Sequence, residues 1–225
     1  ESFVTNPSVD VSYSDAATGA KQIKLLGLSG TYVQMLTENI PNYRGAASPY
    51  GLGYVPGPWM QSIQVSKGIS SVKNGYEAIT GQINVEFKKP QLLEADWVSA
   101  NLFASSTNRY EANADATLKL SKRWSTSLLA HYENETKAHD GNDDGFVDIP
   151  QVEQYNVWNR WAYMGDHYVF QAGFKALSES RTSGQAHHTD MQTGDLYKVG
   201  IDTERYEFFT KNVIYLIRRR IRIWH

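Results

Sequence analysis

The amino-acid sequence predicts a mainly β protein, with strands and irregular loops over residues 1–90 and, over 91–210, five or six long antiparallel strands of a transmembrane β-barrel. Three observations carry this expectation. From Glu111 onward apolar and polar residues alternate with a period of two. The alternating runs are about ten residues long, the length a tilted strand needs to cross a bilayer. The connections between them switch between tight and long, and membrane barrels put tight turns on the periplasmic side and long loops outside.

Composition narrows the classes. The 22 basic residues nearly balance the 24 acidic ones, so the bulk charge carries no nucleic-acid footprint. With no cysteine, the chain uses neither disulfides nor thiolate metal sites. No run approaches ~18 consecutive apolar residues, which excludes a transmembrane helix but not a barrel, whose apolar surface is hidden in alternation. The chain starts at Glu1 without Met or an apolar leader, and is therefore expected to be a processed form or a fragment.

In chain order, residues 1–20 are small and polar, with turn signals at Asn6-Pro7 and Thr18-Gly19. Apolar-rich runs at Gln22 to Leu26 and Thr31 to Leu36, joined by Gly27-Leu28-Ser29-Gly30, predict strand, tight turn and strand. Asn42 to Trp59 is too rich in glycine and proline for a regular element, and Tyr43, Tyr50, Tyr54 and Trp59 give it adhesive faces. Residues 61–90 contain two alternating runs, Ser62 to Lys67 and Gly81 to Lys88, around a Gly/Ser/Asn-rich connection.

Those last thirty residues are also similar to the plug domain of TonB-dependent outer-membrane receptors. That family carries I-E-V-x-K-G-x-x-S-x-x-x-G-x-x-A-x-x-G-x-I-N-x-x-x-K-x-P. Here Ile63, Val65, Lys67, Gly68, Ser71, Gly75, Ala78, Gly81, Ile83, Asn84, Lys88 and Pro90 match in order, with Gln64 in place of Glu. The family's I-x-I-R-G and D-G-x-P pieces correspond to Leu26-Gly27 and Glu38-Asn39-Ile40-Pro41, so its Arg and Asp-Gly are replaced.

After a short acidic link with Glu94 and Asp96, long strands begin. In Glu111 to Leu120, Ala112, Ala114, Ala116, Leu118 and Leu120 share one face and Asn113, Asp115, Thr117 and Lys119 the other. Next, Trp124, Thr126, Leu128, Ala130 and Tyr132 oppose Ser125, Ser127, His131 and Glu133. Tyr155, Val157, Trp161 and Tyr163 follow, then Tyr168, Phe170, Ala172, Phe174 and Ala176 facing away from Gln171 and Lys175. Aromatics gather near strand ends, where a membrane interface favours them. The connections at 121–123 and 165–167 are tight, that at 107–110 is modest, and those at 137–152 and 178–205 are long. From Lys211 the alternation fails. Residues 211–225 read as an atypical basic tail, either a non-native end from a shifted reading frame or a strand ending early in a basic turn.

The run Asp140-Gly141-Asn142-Asp143-Asp144-Gly145-Phe146-Val147-Asp148 follows calcium-loop spacing. Asp140, Asn142 and Asp144 fall at positions one, three and five. Gly145 permits the sharp turn, Phe146 offers a carbonyl, and Asp148 falls at nine. Gln151 at position twelve removes a bidentate carboxylate and predicts weak affinity. The alternative is an acidic, empty hairpin tip. His187-His188 with Asp190 could hold a transition metal or haem iron, or lie in solvent. Gly51, Gly53 and Gly57 make no dinucleotide fingerprint, and Ser29 lacks a nucleophile-elbow setting. No catalytic constellation is present, so no enzyme is expected.

The resemblance implies a mixed α/β plug over residues 1–90 followed, over 91–210, by the first five or six strands of a large barrel of about 22 strands when complete, in an outer-membrane receptor of a Gram-negative bacterium. Such a receptor binds a scarce, bulky nutrient outside and imports it with energy relayed by TonB. Ferric siderophores or cobalamin are the first cargo classes, with haem or glycans as alternatives. Calcium would be structural. Partners would be TonB, the nutrient, outer-membrane lipid and, as a further candidate, a surface lipoprotein, with no nucleic acid. The plug loop, through Asn42, Tyr43, Arg44 and Tyr50, would help line the ligand site, or these residues would pack against the barrel wall. A soluble or surface calcium-stabilised β-protein, such as an adhesin module, is the rival from another class.

Overall fold

The computed structural model describes residues 9–15, 18–28, 30–69, 77–90, 97–187 and 194–215. Ser29, Ser71, Gly75, the Glu94–Asp96 link, His188, Asp190 and residues 216–225 of the basic tail lie outside the described residues.

The larger sheet is an antiparallel meander of β7 (Trp97–Ala104), β8 (Arg109–Lys119), β9 (Trp124–Glu135), β10 (Gln151–Met164), β11 (Tyr168–Gly184) and β12 (Lys198–Ile214), each strand paired with its sequence neighbours. Short turns at 120–123 and 165–167 lie at one end. The 105–108 turn and the long 136–150 and 185–197 connections lie at the other. Pairing of β11 with β12 runs from Tyr168↔Ile214 to Gly184↔Lys198. These strands are longer than the alternation suggests. At Ser178 to Ser183 both faces are polar, so sequence periodicity fades while the backbone ladder continues. Likewise β12 continues through Lys211, which bonds to the backbone carbonyl of Glu38.

Polarity across this sheet is inverted relative to a soluble sandwich. Leu102 is 81% exposed and Phe208 73%, with Val98, Tyr155, Trp161 and Phe174 also on the open face. Asn113, Asp115, Thr117, Ser127, His131, Asn156 and Arg160 are buried on the covered one. On the open face Trp124, Tyr163, Phe170 and Tyr168 cluster at the short-turn end, with Trp124 and Tyr163 ring centroids 5.1 Å apart. Tyr132 and Tyr155 pair at 4.9 Å toward the long-loop end. Trp124 and Tyr132 are eight residues apart in one strand, ~27 Å along its axis. With the usual tilt of about 35–45° that is roughly 20 Å along a membrane normal, a few Å short of the ~25 Å apolar band of a membrane barrel between its aromatic girdles.

What covers the polar face is built from residues 9–90. A four-stranded mixed sheet has the order β4 (Ile40–Pro41), β3 (Val33–Thr37), β6 (Gly81–Phe87), β5 (Met60–Lys67), with β3 and β6 parallel and β5 and β6 antiparallel. Beside it, β1 (Val9–Asp15) pairs with β2 (Ala20–Leu25). The sequence signals β1 only weakly, because Ser and Asp dilute the Val9, Val11, Tyr13 alternation. Turns at Gly30–Tyr32, Gly45–Ala47 and Gly57–Trp59 are 3-10, and no α-helix occurs among the described residues. Central β6 is covered on both faces. At Gly81, φ is +149°, and a Cβ would meet Ser66 O at 2.2 Å. Only glycine lets β5, β6 and β2 close here.

Leu25, Leu36, Ile83, Val85, Phe87 and Trp59 form the core, which continues into the larger sheet. Phe87 meets Trp158 edge-on at 5.3 Å, and Trp158 stacks on Phe209 at 5.5 Å. Gly173 lies opposite Phe209 in the ladder and a Cβ there would strike the ring, so this glycine admits the stack.

Candidate functional site

Two polar networks and one cavity join residues 9–90 to the covered face of the large sheet. The first centres on Glu38, at the turn between β3 and β4. Glu38 and Asn39 have φ of 57° and 62°, as a two-residue hairpin requires, so Glu-Asn does the work of a more usual Asn-Gly or Asp-Gly pair. Glu38, 1% exposed, receives both terminal nitrogens of the wholly buried Arg160, at 2.9 and 3.1 Å. Its Oε1 also accepts the Phe87 N–H at 3.0 Å. Lys89 and Lys211 approach its Oε2 to 3.5 and 3.8 Å. Lys89 in turn bonds Glu86. Desolvation would raise the Glu86 carboxyl, but Lys89 outweighs it and holds the group below its ordinary range.

The second network holds the 42–54 loop. Lys175 Nζ, buried on β11, donates to Tyr43 Oη at 2.7 Å and to the Tyr54 carbonyl at 2.8 Å, and Asn156 donates to the same carbonyl at 3.1 Å. Asn42 Nδ2 donates to Glu207 at 2.9 Å, and Arg205 bonds both Glu207 and Asn42. Burial, with Glu207 adding to it, pushes the Tyr43 hydroxyl well above its ordinary pKa. Arg181 donates to the Thr18 carbonyl at 3.0 Å and lies over the Tyr50 ring.

The loop residues singled out from sequence therefore divide. Tyr43, 2% exposed, and Asn42 hold the wall, as do Tyr54 and Trp59. Arg44 is largely exposed and forms a two-pronged pair with Glu77 at 2.7 and 2.8 Å. Asn42, Tyr43 and Arg44 border a cavity of about 570 Å³ against β2, β3 and Tyr32, whereas Tyr50 is placed by Arg181. Sequence reading missed Glu38, Arg160, Lys175, Gln154 and Asn156 as contact residues. Their signal was polarity on the covered face, which marks a face without naming a partner.

A cavity of about 670 Å³ opens at the long-loop end, between the 52–60 loop and the polar faces of β7 to β11. Lys21, Arg109, Arg181, Glu111, Glu133, Glu135, Glu179 and His131 line it. Arg109 pairs with Glu111 at 2.7 Å and with Glu133 at 3.1 Å. Arg181 pairs with Glu179 at 3.0 Å, and His131 Nδ1 lies 2.8 Å from Asn113 Oδ1.

The 140–148 segment forms a turn centred on Asp140. Asp140 accepts the Asp144 and Gly145 N–H groups at 3.2 and 2.8 Å, Asp144 accepts Phe146 N–H at 2.9 Å, and Asp148 accepts Gly141 N–H at 2.7 Å. Asn142 bridges to the Asp144 carboxylate at 3.0 Å. Gly145 has the positive φ, 86°, that the spacing requires. His187 Nδ1 lies 3.7 Å from Asp140, bringing the two long loops together. Among the described residues no group of three or more His, Asp or Glu side chains is gathered to hold a metal ion. The carboxylates of Asp140, Asp144 and Asp148 each accept N–H groups of the turn.

The arrangement defines a class: a wall of long antiparallel strands, apolar outside and polar inside, with a small mixed sheet docked on its polar face. No family model and no curated protein matches the chain. Solved structures do. The chain aligns over 91% of its length with the ferripyoverdine receptor of the outer membrane of Pseudomonas aeruginosa bound to ferripyoverdine, at TM-score 0.65 and 16% identity, covering 28% of that chain. It aligns over 91% with the structure of the FpvAI-pyocin S2 complex, at 0.67 and 14%, covering 27%. The copper transporter OprC aligns over 88%, at 0.64 and 14%, covering 29%. At these identities the likeness is one of fold. The chain has the fold of part of an outer-membrane receptor and spans less than a third of the length of these structures.

Proposed function

We propose that the chain is the plug and the first barrel strands of a TonB-dependent receptor, located in the outer membrane of a Gram-negative bacterium. Residues 1–90 are the plug and the strands from 91 onward are the barrel. The observation that carries this is the inverted sheet, with apolar side chains on the open face and a buried polar face built to receive residues 9–90. A soluble adhesin would bury the opposite face. An open sheet edge is not tolerated in hydrocarbon, so further strands must close the barrel around the plug.

The cargo is a scarce, bulky nutrient of the ferric siderophore or cobalamin class, with haem and glycan as alternatives. The ferripyoverdine receptor and the copper transporter among the structural neighbours favour a metal-bearing cargo. Arg44 and Tyr50, with Asn42 and Tyr43 beneath them, are the plug-loop residues that a bound cargo would disturb. Their pairing with Glu77, Arg181, Glu207 and Lys175 gives that disturbance a route into the wall. TonB is the energy-transducing partner. Calcium at Asp140, Asn142, Asp144, Phe146 and Asp148 would order the outer loop. No step of transport is routed through it.

Growth tests this. A strain lacking the complete gene is supplied in turn with ferric siderophores, cobalamin and haem as sole sources of iron or cobalamin. Loss of growth on one class, restored by the intact gene and not by a TonB-uncoupled host, is the expected outcome. Unimpaired growth on every source, with the protein recovered in the soluble fraction, would contradict the proposal.

A further inference from the structure

The long-loop cavity has a charge pattern that its own residues do not complete. Glu111 and Glu133 stand directly opposite one another across the β8–β9 ladder, an arrangement that repels unless a cation intervenes. Arg109 serves both, and His131 Nε2 lies 3.6 Å from Glu133. Glu135, opposite Arg109 in the same ladder, is 8% exposed and lines the cavity. Its carboxylate makes no hydrogen bond and no ion pair within 4.0 Å among the described residues, and its oxygens open onto the cavity, with Arg109 and Lys21 the nearby cations. A carboxylate that faces a cavity with its acceptor sites unused can take a donor from a bound group. Gln154, on the next strand, is 1% exposed, and its Oε1 has no hydrogen-bond donor although its Nε2 is fully engaged with Gly53 and Glu179. Carboxylates thus outnumber cations around the cavity, four to three, with Lys21, Arg109 and Arg181 as the cations. A cavity-facing carboxylate with no hydrogen bond and a buried acceptor with no donor both suit a positively charged donor from outside.

We infer that this cavity selects cargo presenting an ammonium or guanidinium group, which docks against Glu135 and the Glu111–Glu133 pair. A neutral or anionic face would meet like charge or leave Glu135 unpaired. The inference rests on the receptor proposal above, which makes the long-loop end the outer face, and it names the chemistry of the end of the cargo that enters first.

The test uses the complete protein in detergent and two probes: a linear ferric trihydroxamate chelate with a free terminal amine, and the same chelate N-acetylated. Binding is followed by quenching of intrinsic fluorescence. A charge-assisted hydrogen bond is worth about 1.5–3 kcal/mol, so the amine form should bind at least about tenfold tighter. Glu135→Gln should reduce that preference to under about threefold. Glu111→Gln, which leaves Arg109 paired with Glu133, should reduce it partly, guarding against a single variant that misfolds. Equal affinity for the two probes overturns the inference and leaves the receptor proposal standing. Binding of neither also overturns it, while outer-membrane fractionation and the growth test judge the receptor proposal separately.

Discussion

Glu38 is where residue-level chemistry fixes how the two parts of the chain fit. A carboxylate buried this deeply is stable only with matched donors. Arg160, the Phe87 N–H and two lysines supply them. Breaking such a pair by removing one partner costs about 3–5 kcal/mol, because the survivor stays buried and charged, whereas an apolar pair of similar volume is often neutral. Glu38→Ala is therefore expected to lower the unfolding temperature of the complete protein sharply. Glu38→Leu with Arg160→Met should recover most of the loss. Equal loss from the single and double variants would show that the pair is not the cause. Little of this was legible in the sequence. Glu38 stood out only as a departure from Asp-Gly, and Arg160 as one polar residue in an alternating strand. The two are 122 positions apart, and nothing local links them.

Among the elements, the 136–150 loop shows how spacing fixes a turn without fixing its occupant. Sequence spacing anticipated the positive φ at Gly145 and the clustering of Asp140, Asn142 and Asp144. It could not say whether their oxygens face an ion or the loop's own N–H groups. Desolvation would raise the Asp140 carboxyl, but the N–H groups of Gly145, Asp144 and Asp143 outweigh it and hold it below the usual range. A group depressed in this way supports the folded loop above the ordinary carboxylate pKa and releases it as pH falls through the lowered value. Limited proteolysis between residues 136 and 150 should therefore be slow at neutral pH and accelerate only on acidification past that range. Calcium, if it orders the loop, should raise the unfolding temperature reversibly with chelator, and Asp144→Asn should remove the effect. No response to calcium or chelator would leave hydrogen bonds as the loop's only support. Strand ends were the least legible part of the elements, because above the apolar band both faces of β11 turn polar.

For the whole molecule, the period-two pattern was enough to predict a sheet with one apolar and one polar face, six strands long at most, with long connections on one side. That much follows from side-chain direction alone. Which face is covered cannot follow from it, since a soluble sandwich and a membrane barrel share the alternation and differ only in what lies on each side. The central claim is that Leu128 and Ala130 face lipid while Ser127, Leu129 and His131 face the plug. The chain has no cysteine, so nitroxide labels can be attached to single cysteines introduced in turn at residues 127–131 of the complete protein in lipid bilayers. Collision with oxygen and with a water-soluble nickel complex is then measured at each position. High oxygen and low nickel accessibility at 128 and 130, with both low at 127, 129 and 131, is the predicted result. Nickel accessibility at 128 and 130 equal to that of a solvent-exposed site, or no two-residue period, would contradict it.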